Sequence, residues 1–452
     1  MVDIRFDDFW QSSLGRPADA PPRGAFLNFD PITGIQPVSD RPGSVAADAV
    51  PDALAPVLFP SGPAQTYALL DAARIPGLPE TLETSRLDHI CLFRGDSFDQ
   101  LKQVAPWLVR IEGSGKFTRN LFRASTKSWH LWGKDAGIFL RSPAGLQDVA
   151  AHLRRFTKVS DKAGKWVFFR FWDPLVAQIY FGGMADHAER IGQIFRLPTG
   201  QPMEMIVQTG PQEAVRMAPS DLLPPDQPRR AISFDAPDLA LLTEVSFHAL
   251  SRQLADWLAQ DYPEAFADRS PAQMRAIGAH VVATGRWLGL TMKQDFAFVA
   301  QIMMTSGGWF LQDGTLPAMN RLIADTPAPK AEAMVAAYDG MQAQTPQAEL
   351  LAEWDALSDH LAVLPTDEAL MATRMEEIIW RFLPNAAREV PSATASTRAR
   401  LRELGMRDAL IEGKAALLAL LFGPRFFEDP FKSWAGLGAE ADVTAAWRLV
   451  IE

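Results

Sequence analysis

The sequence contains only one cysteine, Cys91, among its 452 residues. A single cysteine can form neither an intramolecular disulfide nor a cysteine-based zinc site, which excludes a disulfide-stapled secreted protein. Long hydrophobic runs are also missing, since the most apolar stretch is residues 415–422 and a membrane span needs about 18–20 residues. Residues 1–8 are acidic and lack the basic and apolar regions of a signal peptide. We therefore expect a cytoplasmic protein without a membrane span.

Charge is unevenly distributed along the chain. With 44 Lys and Arg against 54 Asp and Glu, the net charge is −10, which argues against a protein that coats nucleic acid. Residues 91–170 nevertheless hold 15 basic and 6 acidic side chains, a net charge of +9 that leaves −19 on the rest. Such a segment is either a solvated basic face or a docking face for an acidic partner. Both interpretations stay open at this point.

The composition is that of a globular protein with more than one domain, because 48% of the residues are hydrophobic and the chain is about three times an average domain length. Prolines are dense in residues 1–66, which predicts an extended arm whose residues 25–29 dock as an edge strand. Residues 67–237 alternate between strand-like and helix-like patterns, and residues 238–452 have helical patterns. The predicted fold class is α+β, with an N-terminal mixed α/β lobe followed by an all-helical C-terminal lobe.

Short apolar runs predict the strands of the mixed lobe. These runs are residues 67–72, 89–93, 137–140, 166–172 and, before a proline-rich linker, 203–208. Residues 98–105 and 144–156 have the spacing of amphipathic helices.

Helix boundaries are marked clearly in the C-terminal lobe. Ser270 with Gln273, and Thr291 with Gln294, have the spacing of capping boxes. Further predicted starts and stops are Thr345, Thr366, Gly289, Gly307 and Gly423. A G-x-x-F-x-x-D pattern at residues 307–313 recurs at residues 423–429, which suggests a possible internal duplication with a structural role.

No catalytic or metal-binding motif is found in the sequence. The seven histidines include no HExxH pair, and no G-x-S-x-G nucleophile elbow occurs. Residues 113–116 fail as a phosphate loop, because Arg110 stands where the first glycine is needed and Phe117 where serine or threonine is needed. We predict no catalytic residue, no cofactor, no metal and no small-molecule substrate.

Arg170 and Asp173 are the strongest candidates for a catalytic charge pair. The structural interpretation is a strand that ends in an Asp-Pro turn, with Asp173 accepting backbone hydrogen bonds and Arg170 pairing locally. Arg170, Asp173 and Pro174 then form a structural motif. An enzyme with a non-motif site around Arg170 and Asp173 is the alternative.

A series of short motifs occurs in order between residues 67 and 174. They are Tyr67-Ala-Leu-Leu-Asp71, Leu92-Phe-Arg-Gly95, Val104-Ala-Pro-Trp-Leu-Val109, Trp132-Gly133, Phe139-Leu-Arg-Ser142, His152-Leu-Arg-Arg-Phe156 and Val167-Phe-Phe-Arg-Phe-Trp-Asp-Pro174. A hairpin at residues 161–164 precedes the last motif. This ordered set resembles the type VI secretion effector adaptor/chaperone family, often called Tap or TEC and defined by a domain of unknown function. Trp172 stands where tyrosine is usual in that family.

The resemblance implies a non-enzymatic protein that binds a toxic effector in the producing cell and helps to load it onto the VgrG spike. The expected partners are therefore the cognate effector and VgrG. The basic segment supplies the candidate partner-binding residues Lys158, Lys162, Lys165, Arg154 and Arg155. A nucleic-acid-binding module that uses residues 91–170 is a further alternative, which the acidic total charge disfavours.

Overall fold

A computed structural model describes residues 25–38, 49–225 and 232–311, together with scattered positions between 325 and 431. Strands and helices alternate up to residue 234, and the elements described after that are helices. The fold class is therefore α+β, as the sequence predicts. The chain divides into two compact units, Met1–Ser246 and Phe247–Glu452.

The described elements have the following bounds. The strands are β1 (Leu27–Ile32), β2 (Gln65–Asp71), β3 (His89–Cys91), β4 (Pro106–Ile111), β5 (Gly137–Ser142), β6 (Lys158–Asp161), β7 (Trp166–Phe168), β8 (Glu204–Gly210), β9 (Glu213–Pro219) and β10 (Ser233–Phe234). The helices are α1 (Ala55–Leu58), α2 (Leu78–Ser85), α3 (Asp96–Leu101), α4 (Lys116–Leu121), α5 (Leu146–Arg154), α6 (Pro174–Met184), α7 (Ala188–Phe195), α8 (Ala236–Asp261), α9 (Pro263–Phe266), α10 (Pro271–Trp287) and α11 (Lys293–Ser306).

A seven-stranded antiparallel sheet organises the first unit, in the order β1-β9-β8-β5-β2-β4-β3. Side chains of the central strand β2 alternate between two cores, as the period of two in a strand requires. Tyr67 and Leu69 face the core that holds α5, α6 and α7. Ala68 and Leu70 face the core that holds α1, α2 and α4. The sheet therefore has both faces covered.

A smaller sheet packs against the first of these cores. Its order is β10-β6-β7, with β10 parallel to β6 and β6 antiparallel to β7. Val159 and Phe234 are buried in this core, so one face of the small sheet is anchored. The strand β7 is shorter than the run 166–172 predicts, because Phe169, Phe171 and Trp172 turn into the core. The amide of Asp173 donates a hydrogen bond of 2.9 Å to the carbonyl of Arg170, which closes that turn.

The proline-rich segments contribute more strands than the sequence predicts. The edge strand predicted within the arm is confirmed as β1, which pairs with β9, although it spans residues 27–32 rather than 25–29. The strands of these segments that were not predicted are β9 and β10. The strand predicted at residues 203–208 is confirmed as β8, but the linker predicted after it holds β9, which forms a hairpin with β8 and has Pro211 in the turn and Pro219 at its end. These are positions where a strand tolerates proline, because no ladder bond is lost in its interior.

In the second unit, the C-terminal part of α8 shares a third core with α10 and α11, which includes Leu254, Ile277 and Val299. The capping box of Ser270 and Gln273 at the start of α10 is confirmed. The second predicted box is wrong, since α11 begins after Met292 without a side-chain cap.

Two segments that carry the G-x-x-F-x-x-D pattern are in direct contact. Asp429 accepts a hydrogen bond of 2.9 Å from the amide of Gly308 and another of 2.9 Å from the amide of Phe431. His280 donates to the carbonyl of Gly308 at 2.6 Å. These buried bonds give the pattern a packing role. Several predicted markers, Asp313, Thr345, Thr366, Gly423 and Phe426, lie outside the described residues.

Candidate interaction surface

The β6–β7 hairpin is closed by a turn that Asp161 organises. Oδ1 of Asp161 accepts hydrogen bonds from the amides of Ala163 and Lys165, at 2.9 and 2.8 Å. Gly164 has a φ of +80°, a left-handed conformation that glycine adopts without steric cost. The result is a tight turn that carries Lys162 and Lys165 at its exposed tip.

The hairpin presents its aromatic side chains to solvent and its aliphatic ones to the core. Val167 packs against the first core, opposite its buried cross-strand neighbour Val159. Trp166 and Phe168 lie on the other face, with 61% and 59% of their surface exposed. The ring of Phe168 lies 6.4 Å from that of Phe93. Two large exposed aromatic side chains on one strand form a patch, which marks an interaction surface more strongly than a single exposed residue does.

Positive charge surrounds this patch. Nζ of Lys158 lies 4.8 Å from the centre of the Trp166 ring, in the range of a cation–π contact. Within the ranges that the structure describes, Lys158, Lys162 and Lys165 form no ion pair. Other cations of the basic segment are neutralised locally, as for Arg110 with Asp88 at 2.6 Å. Lys158 and Lys165 are therefore available to an acidic partner, while Lys162 also interacts electrostatically with the carboxylate of Asp235.

The two arginines predicted as partner-binding residues differ in their surroundings. Arg154 donates to the carbonyls of Leu92 and Cys91 at 3.1 and 2.9 Å, and so ties α5 to the end of β3. Desolvation by burial lowers the pKa of its guanidinium. Arg155 is exposed, and its guanidinium lies 5.6 Å from the ring of Phe156. Arg154 thus serves the fold, while Arg155 stays at the surface.

The ion-pair partner of Arg170 is Asp71 at the end of β2, rather than a neighbour in sequence. This corrects the predicted local pairing: the carboxylate of Asp71 is almost completely buried, so the cation that reaches it compensates its charge. Asp173 instead caps α6, accepting hydrogen bonds from the amides of Leu175 and Val176 at 2.9 and 3.4 Å. Pro174 occupies the first turn of that helix.

Ion pairs of Arg170 and Asp173 connect the end of β2 with the start of α6. Asp173 has a second contact, an ion pair of 3.7 Å with Arg74. The Arg170–Asp71 and Arg74–Asp173 pairs therefore join the end of β2 to the start of α6 twice.

Among the described residues, no group of three His, Cys, Asp or Glu side chains could hold a metal ion.

Residues 66–190 match one family model. The family is described as Domain of unknown function (DUF4123). The DUF4123 match runs from β2 into α7 and takes in the β6–β7 hairpin, Arg170 and Asp173. It covers a little over a quarter of the chain and leaves β1, β8 and β9 outside. No curated protein and no solved structure matches the chain significantly.

The exposed aromatic pair was not predicted from the sequence. Residues 166–172 form one apolar run, and a run of that kind predicts a buried strand. The signal that could have predicted the exposed pair was charge: Lys158 lies in β6, Lys165 directly precedes β7, and both strands have an aliphatic residue on the opposite face.

None of the described helices combines the length and hydrophobicity of a transmembrane span.

Proposed function

We propose that this chain is a non-enzymatic adaptor that binds one toxic effector of a type VI secretion system and helps to load it onto the VgrG spike. The observation that carries the proposal is the DUF4123 match, because that family is associated with effector adaptors. The match covers the same part of the chain as the ordered motifs. In this role the protein works in the cytoplasm of the producing cell and forms a complex with its effector.

The β6–β7 hairpin supports a binding role. Its lysines, with Arg155, carry positive charge at the surface, and Trp166 and Phe168 supply apolar area. Aromatic side chains and cations are the residue types that contribute most to protein interfaces. We assign partner binding to Lys158, Lys162 and Lys165 on this ground, and a structural role to Arg154.

Deletion of the gene in the producing bacterium tests the function. We expect secretion of one effector to stop while the secretion tube still fires, and that effector to be less soluble when expressed without this chain. Binding to the folded effector stabilises it by mass action, which accounts for the difference in solubility. An effector that is equally soluble and equally secreted without the protein would refute the proposal.

Complementation then tests the surface. The deletion strain receives either the wild-type gene or the triple variant Lys158→Glu, Lys162→Glu, Lys165→Glu. The control is a second triple variant with the same charge change at other exposed lysines, namely Lys102, Lys116 and Lys293. We expect the control to restore secretion and the hairpin variant to fail. If both triple variants restore effector secretion equally, the β6–β7 hairpin is not the partner-binding surface.

A further inference from the structure

Among the described residues, none forms a backbone hydrogen bond with the outer edge of β7. β7 is the last strand in the order β10-β6-β7, and in the described part of the chain no strand lies beyond it. The amide of Asp161 donates to the carbonyl of Lys165 at 2.9 Å, and the amide of Phe169 donates to the carbonyl of Thr157 at 3.2 Å. Bonded pairs alternate along an antiparallel ladder, so the N–H and C=O groups of the residues between, Trp166 and Phe168, point away from β6.

These two residues also carry the exposed aromatic side chains of the hairpin. Natural proteins usually protect an open edge with a short strand, lysine side chains, proline or a bulge, because such an edge pairs with any extended chain. β7 has only three residues and has lysines beside it, a protection that acts against basic strands and not against acidic ones. Here the edge positions hold large aromatic residues, which add cross-strand contacts to any strand that pairs there. The edge of β7 therefore favours pairing with another strand.

Charge indicates the chemistry of that strand. Lys158 lies on the same face as Trp166 and contacts its ring at 4.8 Å, and Lys165 precedes β7 directly. With Lys162 at the turn, three cations border the edge, and the one acidic side chain of the turn, Asp161, is engaged by backbone amides. A strand with acidic side chains at alternate positions would complement this arrangement.

We infer that β7 is a docking edge for an extended acidic segment of a partner protein, which adds a fourth strand to the small sheet. The inference rests on the proposed function, since the effector is the partner expected to supply the segment. Strand addition of this kind takes affinity from main-chain bonds and specificity from alternate side chains. The interior of a bilayer is disfavoured as the occupant, because hydrocarbon cannot satisfy the outward N–H and C=O groups of Trp166 and Phe168.

A pair of synthetic peptides probes the edge in the full-length protein. One has the sequence TEVEVET and the other TKVKVKT, so they differ in the sign of the alternate charges. We expect the acidic peptide to bind and the basic one to show at least ten-fold weaker binding by isothermal titration calorimetry. Affinities that are equal for the two peptides, or binding by neither, would overturn the inference.

Two variants of one residue separate backbone pairing from side-chain contact. Phe168→Ala removes the ring but keeps the outward amide, whereas Phe168→Pro removes both and leaves the ladder bonds of Val167 and Phe169 in place. We expect F168P to bind the acidic peptide about five-fold more weakly than F168A, which corresponds to one hydrogen bond. Matching thermal unfolding of the two variants is the control for folding. Equal affinities of F168P and F168A would overturn strand pairing.

Two further measurements assign the surface if the peptide result is negative. Sedimentation with vesicles of phosphatidylglycerol and phosphatidylcholine, lost in the Trp166→Ala, Phe168→Ala double variant, would identify a membrane-binding hairpin and overturn the inference. A dimer that F168P dissociates would identify a second copy as the occupant and overturn it as well. The proposed function can fail separately. If the acidic peptide binds but the effector is secreted equally well without this chain, the docking edge stands and the adaptor function is overturned. If the effector needs this chain but the peptide does not bind, only the docking edge is overturned.

Discussion

At the scale of single residues, Asp173 holds the first turn of α6 through two backbone amides. We expect Asp173→Ala to lower the free energy of unfolding by about 1 kcal/mol, the usual cost of losing an N-cap. Asp173→Ser keeps an acceptor at the same position and is the matched control. Chemical denaturation of both variants measures the difference. Equal stability of the two would show that the cap contributes nothing, and a loss of turnover without a loss of stability would instead support the enzyme alternative.

His152 gives the first unit a pH dependence of known sign. Its Nε2 lies 2.8 Å from the carbonyl of Ile194, and burial lowers the pKa of the imidazole from 6.5 to about 4. Between those two values the unfolded chain binds a proton that the folded chain does not, so stability falls as the pH falls. We expect this residue to cost the fold about 2 kcal/mol between pH 7 and pH 5.

The variant His152→Gln checks this, because glutamine can donate the same hydrogen bond and does not titrate. Urea denaturation at pH 7 and at pH 5 should show a smaller loss of stability in the variant than in the wild type. His280, whose pKa burial also lowers to about 4, is present in both proteins, so its contribution cancels. A variant with the pH dependence of the wild type would show that His152 is protonated normally in the folded state.

Residue-scale interactions divide into those that the sequence predicts and those that it cannot. The capping role of Ser270 follows from spacing alone, because both bonding partners lie within one turn. The partner of Arg170 does not follow from spacing, since Asp71 lies 99 residues earlier and the two meet only after β2 is placed in the sheet. The same limit applies to Trp166, because alternation separates two faces without saying which one is buried.

At the scale of elements, the approach of α8 to α10 depends on a glycine. A Cβ on Gly278 would lie 2.1 Å from the carbonyl oxygen of Ser251, so only hydrogen fits between the two helices. We expect Gly278→Ala to lower stability by about 1–3 kcal/mol, the usual range for overpacking. The control is Gly182→Ala in α6, where a Cβ meets nothing within 4 Å and alanine favours the helix. Thermal unfolding compares them, and equal effects would contradict the close approach.

Element types were predicted better than element ends. The apolar run at residues 67–72 identifies β2, because a central strand is apolar on both faces. The run at 166–172 gave a strand of more than twice the observed length, since turn residues that pack into the core are as apolar as strand residues. The second capping box failed for a similar reason: Thr291 has the required spacing, but α11 starts one residue later than that box needs.

At the scale of the whole molecule, a net charge of +9 on residues 91–170 contrasts with −19 elsewhere. If the hairpin lysines meet an acidic partner, the association rate constant should fall by about ten-fold between 50 and 300 mM salt. Reversal of Lys158, Lys162 and Lys165 to glutamate should slow association more than it speeds dissociation, and should flatten the salt dependence. Stopped-flow mixing with the purified effector measures both. If the association rate constant changes neither with ionic strength nor with the three charge reversals, the basic segment 91–170 is a solvated surface and not a docking face.

The pairing of β1 with β9 has a consequence for synthesis on the ribosome. Ile32 lies opposite Ala214, so the first strand of the sheet cannot pair until about 180 further residues have emerged. At 5–20 residues per second this delay is roughly 10 to 40 s. During that interval the strands β2, β3, β4 and β5 can assemble, because they pair with one another. β1 has no strand to pair with and stays exposed to other nascent chains. We expect a chain stalled before residue 204 to lose its N-terminal segment first in limited proteolysis, and one stalled well beyond residue 219 to keep it.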